Sequence, residues 1–508
     1  MRSRALALAL LAAAAVLSVP SGAARASDSI TFFGGGYGHG VGMSQWGAYG
    51  LARHGWEATR ILRHYYTGTR VHPVRHRPAR IRVGIAQGLR TVHLNAQNGD
   101  VTIHAASPTG RLVGRIPSGA TWTVTRSNGR YRIVTQRGHL VGGKTWQDRP
   151  VLRYAGVHAQ VRIPEAGHRY GRGWIAFGVG CSTCSMRLVA VVRAEQYLFG
   201  LGEVPTSWPM AAMEAQAVAA RTYAFEKIHR LGQHRYGCDC GVLASTQDQV
   251  YAGWDKEAEL DGGRWVAAVK HTRHVVITYH GSLIQAFYGS SSGGHTDSNA
   301  GAWGGTALPY LRPVCDPGDY AKANPLRAWS RRLSRLAIGE RISHATGQHL
   351  GAAVRFVHTS RDASHRIRQT TFLGRNGSVT ITGATLEYAL GLPSTLVWIG
   401  TNRNVVRPLR KRYDALRCRP GFAITGQIHV GGGVVQRFPH GALYRNGQRA
   451  ATLWLHGAVY RKYRQRGEWR SALGLPRTDV RRQGRIAYAR FESGVVRCAG
   501  PDCTVSRS

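Results

Sequence analysis

The chain has 508 residues and a large excess of basic side chains, 68 Lys and Arg against 26 Asp and Glu, which gives a formal net charge of +42. Its length predicts about three domains, and a hydrophobic content of 43% excludes a wholly disordered chain. So positive a chain is expected to have a polyanionic neighbour.

Residues 1–26 have the pattern of a secretory signal peptide. Arg2 and Arg4 precede an almost uninterrupted apolar stretch over 5–19, and residues 24–26 read Ala-Arg-Ala, the small-x-small form of a cleavage site. Retention of this segment as an N-terminal anchor is the alternative. No later segment approaches the roughly 20 apolar residues of a membrane span. The mature chain is therefore predicted to be exported, with no transmembrane segment after signal removal.

Export argues against nucleic acid as the partner of this basic chain. Anionic cell-wall polymers such as teichoic acids suit the predicted compartment better. Because Lys and Arg are spread along the whole chain, the charge predicts location and solubility, and it does not identify a reaction.

After the signal, the chain begins with a glycine-dense loop and then becomes β-rich. FFGGGYGHGVGMSQWGAYG leads into a helical pattern from about Ala48 to Tyr66. From Arg80 to about Val192, short alternating stretches are separated by turn dipeptides such as Asn98-Gly99 and Asn128-Gly129. This spacing predicts β-hairpins.

The clearest helix is predicted over residues 207–230. Ser207 is a candidate cap, Pro209 stands near the first turn, and an alanine-rich run of good helix formers follows. Strand patterns return at HVVITYHG and LIQAFYGS, the loop SSSGGHTDS comes directly after, and an α/β stretch ends near residue 400. Residues 403–420, with Pro408 and a basic run, are predicted to be a linker.

Beyond the predicted linker the chain contains a short internal sequence repeat. RFPHGALY is matched by RFESGVV, so that Phe438 corresponds to Phe491 and Gly441 to Gly494, 53 positions apart. A fixed period of this size predicts a small repeated module.

The chain has eight cysteines, an even number, which in an exported protein predicts disulfides. Cys498 and Cys503 close a small loop and are the expected pair. The alternative is a zinc site, because thiolates and imidazoles bind Zn²⁺, although Cys-x-Cys is not a common zinc-finger spacing. Structural disulfides are favoured, and no metal or other cofactor is expected. The zinc candidates are His229, His234, Cys238 and Cys240, with Cys181 and Cys184 as a pair that could join them in space.

Glu203, in the segment LFGLGEVPTSWP, is the candidate catalytic acid. A glycine before it and Val204-Pro205 after it hold the backbone extended. A carboxyl group on such a fixed loop can protonate the leaving oxygen in glycan cleavage. The alternative is a carboxylate that only favours the N-terminus of the following helix through the helix dipole.

Two loops offer further polar candidates. GGGYGHGVGMSQWGA contains His39, Ser44 and Gln45, and its glycine density fits a backbone that approaches a ligand or another segment closely. It lacks the lysine of a P-loop, so a phosphate cradle is not expected. In the loop SSSGGHTDS, contacts with sugar hydroxyls are favoured over serine hydrolysis.

Together these segments resemble the sporulation stage II protein D family, also called the amidase-enhancer family. EQYLFGLGEVPTSWPMAAMEAQAVAARTYAF resembles the family's signature segment, and STQDQVYAGW, IQAFYGSSSGGHT, LPYLRPVCDP and LGLPSTLVWIG resemble its next blocks in order. GYGHGVGMSQWGAYGLARHGWEATRILRHYYTGT resembles a block that usually closes the family domain, whereas here it opens the mature chain. The resemblance covers roughly residues 30 to 400. The permuted order implies that residues 30–70 pack beside the segment that ends near residue 400 and also beside Glu203.

The resemblance implies a lytic transglycosylase that acts on the glycan strands of peptidoglycan. Glu203 would protonate the oxygen that links N-acetylmuramic acid to N-acetylglucosamine, and would then deprotonate the muramic C6 hydroxyl to close a 1,6-anhydro ring. Arg221 is expected to bind substrate oxygens without contacting Glu203, because a close cation would lower the pKa of the acid. The expected substrate-binding residues are Arg221, Tyr288, Gln45, His39, Ser292 and Thr296.

The C-terminal part resembles LGFP repeats, through Leu473-Gly474-Leu475-Pro476, and this resemblance implies attachment to the cell envelope. We therefore expect an α+β protein, secreted and associated with the cell wall, whose partners are glycan strands and anionic wall polymers. The alternative function is a non-catalytic wall-binding accessory protein that enhances an amidase. The expected divisions are a signal peptide (1–26), an N-terminal segment that completes the catalytic domain (27–72), a β-rich portion (73–192), a catalytic core (193–402), a linker (403–420) and a wall-binding module (421–508).

Overall fold

The computed structural model describes residues 28–180, 185–447 and 450–507. The expected signal peptide and the pair Cys181 and Cys184 lie outside the described residues. In these ranges, no helix has the length and apolar character needed to cross a membrane. Helices alternate with strands that form several separate sheets, which confirms the predicted α+β class with a high strand content.

The N-terminal segment contains two helices where the sequence predicted one. Gly55 adopts a φ of 78° and ends the first helix, because the left-handed conformation cannot continue it. Ser44 caps that helix, its Oγ accepting a hydrogen bond from the backbone N–H of Gly47 at 3.0 Å. The elements are β1 (Ser29–Gly34), β2 (Met43–Ser44), α1 (Gln45–Arg53), α2 (Ala58–Tyr65) and β3 (Arg70–Pro73).

Hairpin-connected strands form the next portion, as the alternating pattern predicted. The turn residues Asn98 and Asn128 both have positive φ, the conformation that tight hairpin turns require. The strands are β4 (Arg80–Leu89), β5 (Thr91–Gln97), β6 (Val101–Ala105), β7 (Leu112–Ile116), β8 (Thr121–Ser127), β9 (Arg130–Val134), β10 (Pro150–Tyr154), β11 (Gln160–Ile163), β12 (His168–Tyr170), β13 (Trp174–Val179) and β14 (Met186–Arg193). One sheet has the order β12-β11-β5-β8-β9 and the other contains β4-β14-β13-β10-β6-β7.

The long predicted helix is central to the core and begins three residues later than expected. Pro209 occupies the N-cap position with no side-chain cap, so the prediction that Ser207 caps the helix is wrong. Most of the helix is buried, and it contacts both N-terminal helices, whose close approach its many alanines permit. The elements of this part are α3 (Ala194–Phe199), α4 (Met210–Leu231), β15 (Val242–Leu243), α5 (Trp254–Glu257), α6 (Gly262–His271), β16 (Val275–Tyr279), β17 (Ser282–Leu283), β18 (Tyr288–Gly289) and α7 (Asn299–Trp303).

A smaller α/β part follows and connects the N-terminal segment with the segment that ends near residue 400. In its first sheet β1 lies between two strands of this part, pairing Phe32 with Arg331 on one side and with Ile399 on the other. The N-terminal segment therefore packs beside the segment that ends near residue 400, as expected. The elements are β19 (Trp329–Ser334), α8 (Arg335–Thr346), β20 (Ala353–Arg361), β21 (Ile367–Gly374), β22 (Ser378–Thr382), α9 (Gly383–Leu390) and β23 (Val397–Ile399).

The C-terminal part contains two four-stranded antiparallel sheets and shows the structural origin of the internal sequence repeat. One hairpin pairs Phe438 with Gly441, and the equivalent hairpin of the second sheet pairs Phe491 with Gly494. The elements are α10 (Arg410–Ala415), β24 (Ile428–Val430), β25 (Gly433–Phe438), β26 (Gly441–Arg445), β27 (Thr452–His456), α11 (Gly457–Gln465), β28 (Arg481–Gln483), β29 (Ile486–Phe491), β30 (Gly494–Ala499) and β31 (Asp502–Ser506).

Residues 403–420 are more ordered than the predicted linker. This segment contains α10 and buries Leu409 and Tyr413 in an apolar cluster, where the Tyr413 ring lies 5.3 Å from that of Phe438. A disulfide joins Cys418 to Cys315, across 103 positions of the chain. The segment thus fixes the C-terminal part to the rest of the protein.

Candidate active site

Glu203 lies in the loop between α3 and α4, and its carboxylate accepts three hydrogen bonds. Oε1 accepts from the backbone N–H of Val250 at 2.8 Å and from the hydroxyl of Tyr288 at 3.0 Å. Oε2 accepts only the longer bond from Nε2 of Gln45, at 3.3 Å. Oε2 is therefore the oxygen that a substrate can approach most readily.

Burial raises the pKa of Glu203 above its ordinary value, and this effect outweighs the three donors, each of which lowers the pKa. The residue is only half-buried, so the carboxyl group is desolvated but still reachable. A raised pKa favours a protonated carboxyl at higher pH, which is the form that a general acid requires.

The glycine-dense N-terminal loop is placed against Glu203 by a short parallel pairing. β2 pairs with β18, so that Met43 lies opposite Tyr288 and Ser44 opposite Gly289. This pairing brings Gln45 and Tyr288 to the two oxygens of the same carboxylate. The expectation that the N-terminal block contacts the Glu203 region is confirmed.

His39 lies behind Tyr288 and does not contact Glu203 in any hydrogen bond of the described residues. Its Nδ1 accepts a hydrogen bond from the backbone N–H of Val41 at 2.9 Å, and the ring also bonds to the backbone of Tyr288. Burial, followed by the nearby charge of Arg366, lowers the pKa of His39 to about 4. The imidazole is therefore neutral near pH 7 and is placed to orient Tyr288.

The structure places Arg221 away from the site, which corrects the expectation that it binds substrate oxygens. Its guanidinium is fully buried and forms a two-pronged ion pair with Glu195, at 3.1 and 2.8 Å. The remaining donors bond to the backbone carbonyls of Val275 at 3.1 Å and Val269 at 3.3 Å. Because these bonds engage every nitrogen of the guanidinium, Arg221 has a structural role.

Ser292 and Thr296 are also corrected from substrate contacts to structural residues. Both are buried. The Ser292 hydroxyl donates to Asp316 at 2.7 Å, and the Thr296 hydroxyl accepts from the backbone N–H of Val314 at 2.8 Å. These hydroxyls hold the SSSGGHTDS loop and are not directed to solvent.

A buried carboxylate pair, Asp316 and Asp319, connects this loop to the N-terminal segment. The Ser44 hydroxyl donates to Asp319 at 2.9 Å, and the Tyr65 hydroxyl donates to Asp316 at 2.7 Å. A Cβ atom on Gly47 would overlap the Asp316 carboxylate, so α1 requires glycine at this position to lie so close. The pair thereby fixes the helix whose first residue, Gln45, contacts Glu203.

Sequence reasoning missed two residues that support Tyr288. The amide Nε2 of Gln249 donates to the Tyr288 hydroxyl at 2.9 Å, and the hydroxyl of Tyr197 donates to the Gln249 Oε1 at 2.8 Å. A chain of hydrogen bonds therefore runs from Tyr197 through Gln249 and Tyr288 to Glu203. The available signal was the STQDQVYAGW segment, which contains both Gln249 and the Val250 amide.

Aromatic side chains lie near both side-chain partners of Glu203, Gln45 and Tyr288. Next to Gln45, the Trp46 ring is 4.9 Å from that of Trp208, which also belongs to the Glu203 loop. On the Tyr288 side, the Trp303 ring lies 4.9 Å from Phe287 and 5.0 Å from His39. Trp303 is 53% exposed, so a face of its ring remains available to a ligand.

The described cysteines are paired with one another. Cys498 is bonded to Cys503, as expected, and Cys238 is bonded to Cys240, which leaves neither thiolate for zinc. His234 bonds instead to Asp239. In the part of the chain that the structure describes, no group of three or more His, Cys, Asp or Glu side chains converges on a metal position.

Comparison with known proteins finds similarity to the same family that the sequence motifs resemble. The family model described as Stage II sporulation protein matches residues 182–279. The Amidase enhancer of Bacillus subtilis (strain 168) is 35% identical over 133 residues, 26% of this chain and 16% of the relative. Stage II sporulation protein D of Bacillus amyloliquefaciens is 26% identical over 213 residues, 40% of this chain and 59% of the relative.

A further relative, an uncharacterised protein of Brachyspira hyodysenteriae, is 34% identical over 154 residues, 30% of this chain and 38% of the relative. The chain thus spans less than two thirds of the length of each of these relatives. The matching family model falls on the segment that carries Glu203, the long helix α4 and the STQDQVYAGW block. Through this central segment the chain is similar to the sporulation stage II protein D and amidase-enhancer family.

Proposed function

We propose that this protein is an exported lytic transglycosylase that cuts the bond between N-acetylmuramic acid and N-acetylglucosamine in peptidoglycan glycan strands. The observation that carries the proposal is the Glu203 carboxyl group, half-buried, with a raised pKa and with one oxygen only weakly engaged. The match of residues 182–279 to the Stage II sporulation protein family model and the name of the Bacillus subtilis relative, an amidase enhancer, support a role at the cell wall.

In the proposed reaction, protonated Glu203 gives its proton from Oε2 to the glycosidic oxygen as the bond to the muramic C1 breaks. The carboxylate that results then removes the proton of the muramic C6 hydroxyl, and that oxygen attacks C1. The products are a 1,6-anhydromuramic end and a free hydroxyl on the departing sugar, and Glu203 regains its proton. No water enters the reaction, so one carboxyl group serves as acid and then as base.

The surroundings of Glu203 support a mechanism with one carboxyl group. In the described residues, its hydrogen-bond partners include no second acid. Asp248, the other acid beside Tyr197, is buried and is paired with Lys227 and Arg235. A glycosidase that uses water or a covalent intermediate needs a second carboxylate free to act on the opposite face of the sugar. Asp248 does not meet this requirement.

Tyr288 is proposed to tune the acid. Its hydroxyl donates to the Glu203 carboxylate and lowers the pKa of that group. In Tyr288→Phe this pKa should rise further, because the charged form loses a donor. In the pH profile of kcat/KM, the fall in activity at high pH should therefore begin at a higher pH than in the wild type. Turnover should fall by about 10-fold, the scale of one hydrogen bond to a charged group.

The control for Tyr288→Phe is Tyr236→Phe, since the Tyr236 side chain is 92% exposed. This variant should retain the wild-type profile. A pH profile of Tyr288→Phe that is unchanged, or that moves to lower pH, would contradict the proposed contact.

Trp303 is proposed to support a sugar ring of the glycan. Its ring packs against His39, which bonds to the Tyr288 backbone, and against Phe287, which precedes Tyr288 in the chain. Trp303→Ala should raise KM for glycan strands by up to about 10-fold with little change in kcat, because an aromatic contact contributes roughly 0.5–1.5 kcal/mol. Tyr388→Ala, which removes an aromatic ring that is 85% exposed on α9, should leave both constants unchanged. Equal KM values for wild type and Trp303→Ala would remove Trp303 from the substrate site.

Product analysis distinguishes this proposal from the accessory role suggested by the amidase-enhancer relative. Purified protein is incubated with glycan strands stripped of stem peptides, and the products are identified by mass spectrometry. Anhydromuramic ends indicate a transglycosylase and reducing ends a hydrolase. Intact strands, together with stimulation of an added amidase, would establish the accessory function instead.

We also propose that the C-terminal sheets hold the enzyme on the wall, as the likeness to LGFP repeats implies. Anionic wall polymers are proposed partners of the basic surface. A truncation that tests the targeting role has to retain residues 403–420. Tyr413 packs this segment against the C-terminal part, and the disulfide of Cys418 joins it to Cys315.

A further inference from the structure

A second cleft, of about 870 Å³, lies on the far end of α3 from the Glu203 loop, around the start of that helix. None of its lining residues hydrogen bonds to Glu203. Three segments that are distant in sequence meet there: the connection from β3 to β4, the junction of β14 with α3, and the end of α6. Each segment contributes basic side chains, namely Arg75, Arg77, Arg193, Lys270 and Arg273.

The positive charge of this cleft is not neutralised from within. Its one acidic lining residue, Glu195, is occupied by the buried guanidinium of Arg221. Across the described residues, the side chains of Arg193, Lys270 and Arg273 form no ion pair, and all three are exposed. Partial burial and the charges of Arg77 and Arg273 lower the pKa of His274, although Glu195 opposes this shift. The cleft therefore presents a local excess of cations to solvent.

We propose that this cleft binds a phosphodiester polymer in which phosphates are joined by small polyols. Guanidinium groups match the paired oxygens of a phosphate, and lysine adds a point charge. Because cations from three segments converge here, the cleft can contact several phosphates of one polymer chain. Basic residues in a row on a single helix would not provide these contacts. The proposal is independent of the reaction at Glu203.

Nucleic acids also have a phosphodiester backbone, but the lining residues favour a polyol phosphate polymer as the ligand. Proteins that bind single-stranded nucleic acids place aromatic rings under the bases. Phe199 is the aromatic ring among the described lining residues, and the Arg172 guanidinium already lies 5.4 Å from its centroid. The cleft thus offers charge without a free stacking platform.

The test uses the full-length protein and a fluorescent poly(glycerol phosphate) chain, with binding measured by anisotropy over a range of salt concentrations. The variant Arg193→Ala/Lys270→Ala/Arg273→Ala should raise the Kd by about 10-fold or more. It should also reduce the slope of log K against log salt by about 0.7 for each phosphate that the protein no longer neutralises, as for a flexible single strand. The matched control is Arg132→Ala/Arg137→Ala/Arg355→Ala, which removes the same charge from exposed positions elsewhere. It should change the Kd by less than about 3-fold, through long-range field alone.

Two further polyanions identify the ligand chemistry. Single-stranded DNA and polygalacturonate, a carboxylate polymer, should bind more weakly than poly(glycerol phosphate), and the cleft variant should affect them no more than the control variant does. If both triple variants weaken poly(glycerol phosphate) equally, or the cleft variant has no effect, the site is wrong. A cleft-dependent preference for DNA or for polygalacturonate would overturn the assignment of the ligand.

Activity separates this site from the proposed function. The cleft variant should cleave wall-polymer-free glycan at the wild-type rate. Glu203→Gln should bind poly(glycerol phosphate) with the wild-type Kd. Equal melting temperatures of the two triple variants and the wild type establish that binding losses do not come from unfolding.

Discussion

Glu203→Gln is expected to lower turnover on peptide-stripped glycan strands by about 10²-fold or more, the scale of general acid–base catalysis. Glutamine has nearly the same shape, and its carbonyl oxygen can still accept the bonds that Val250 and Tyr288 donate to Oε1. Its amide group has no proton that it can give to the glycosidic oxygen. The variant should therefore fold and bind glycan but release anhydromuramic products very slowly.

The measurement is the initial rate of anhydromuramic product formation, followed by mass spectrometry, with the melting temperature as the test of folding. Glu57→Gln is the matched control, because Glu57 precedes α2 without a side-chain capping bond and is exposed. Its rate should equal that of the wild type. A folded Glu203→Gln protein that turns over at the wild-type rate would disprove the assignment of the acid.

Features that depend on neighbouring residues were predictable from the sequence. The loop that carries Glu203 was predicted because the glycine before this residue and the proline after it favour an extended backbone, and α4 was predicted because its helix formers are contiguous. The hairpins followed from alternation and from turn residues such as Asn98. The helix over 48–66 was predicted without its break at Gly55, because a single glycine is compatible with a helix until tertiary contacts select its left-handed conformation.

Features that depend on distant partners were not predictable. The family resemblance implied that Arg221 binds substrate oxygens. Its actual partner, Glu195, precedes it by 26 residues, and only the fold brings the two together. Ser292 and Thr296 were assigned to sugar contacts because the SSSGGHTDS loop offers hydroxyl groups. A sequence shows that hydroxyl groups are available, but it does not show whether buried acceptors, such as Asp316, will occupy them.

The second large effect is expected for the buried carboxylates, which the sequence did not reveal. In Asp319→Ala, three donors lose their acceptor: the hydroxyls of Ser44 and Ser291, at 2.9 Å each, and the backbone N–H of Gly293, at 2.9 Å. The backbone N–H of Ser292 loses its bond of 3.1 Å and keeps the longer one to the Ser44 hydroxyl, at 3.3 Å. An unsatisfied buried donor costs about 1–3 kcal/mol. Relief of the repulsion between the two carboxylates offsets part of this cost.

We expect Asp319→Ala to reduce the local stability of the N-terminal segment by about 3 kcal/mol or more. Amide hydrogen exchange in α1 should then accelerate by about 10²-fold, since 1.4 kcal/mol corresponds to a factor of ten. Glycan cleavage should fall as well, because Gln45 is the first residue of this helix and contacts Glu203. Asp148→Ala, at an exposed position, is the control and should change neither quantity.

The loss should also depend on pH, in a direction fixed by the pKa of Asp319. Burial and the charge of Asp316 raise this pKa to about 7, whereas an unfolded aspartate titrates near 3.9. Between about pH 4 and pH 7 the folded wild type therefore binds a proton that the unfolded chain does not, and this contribution to stability decreases as the pH rises. Asp319→Ala lacks it, so the difference in hydrogen exchange between variant and wild type should be larger at pH 5.5 than at pH 8. A difference that is equal at both pH values, or larger at pH 8, would contradict this expectation. It would show that Asp319 is ionised at both pH values and that the proton of this network resides on Asp316 or its donors.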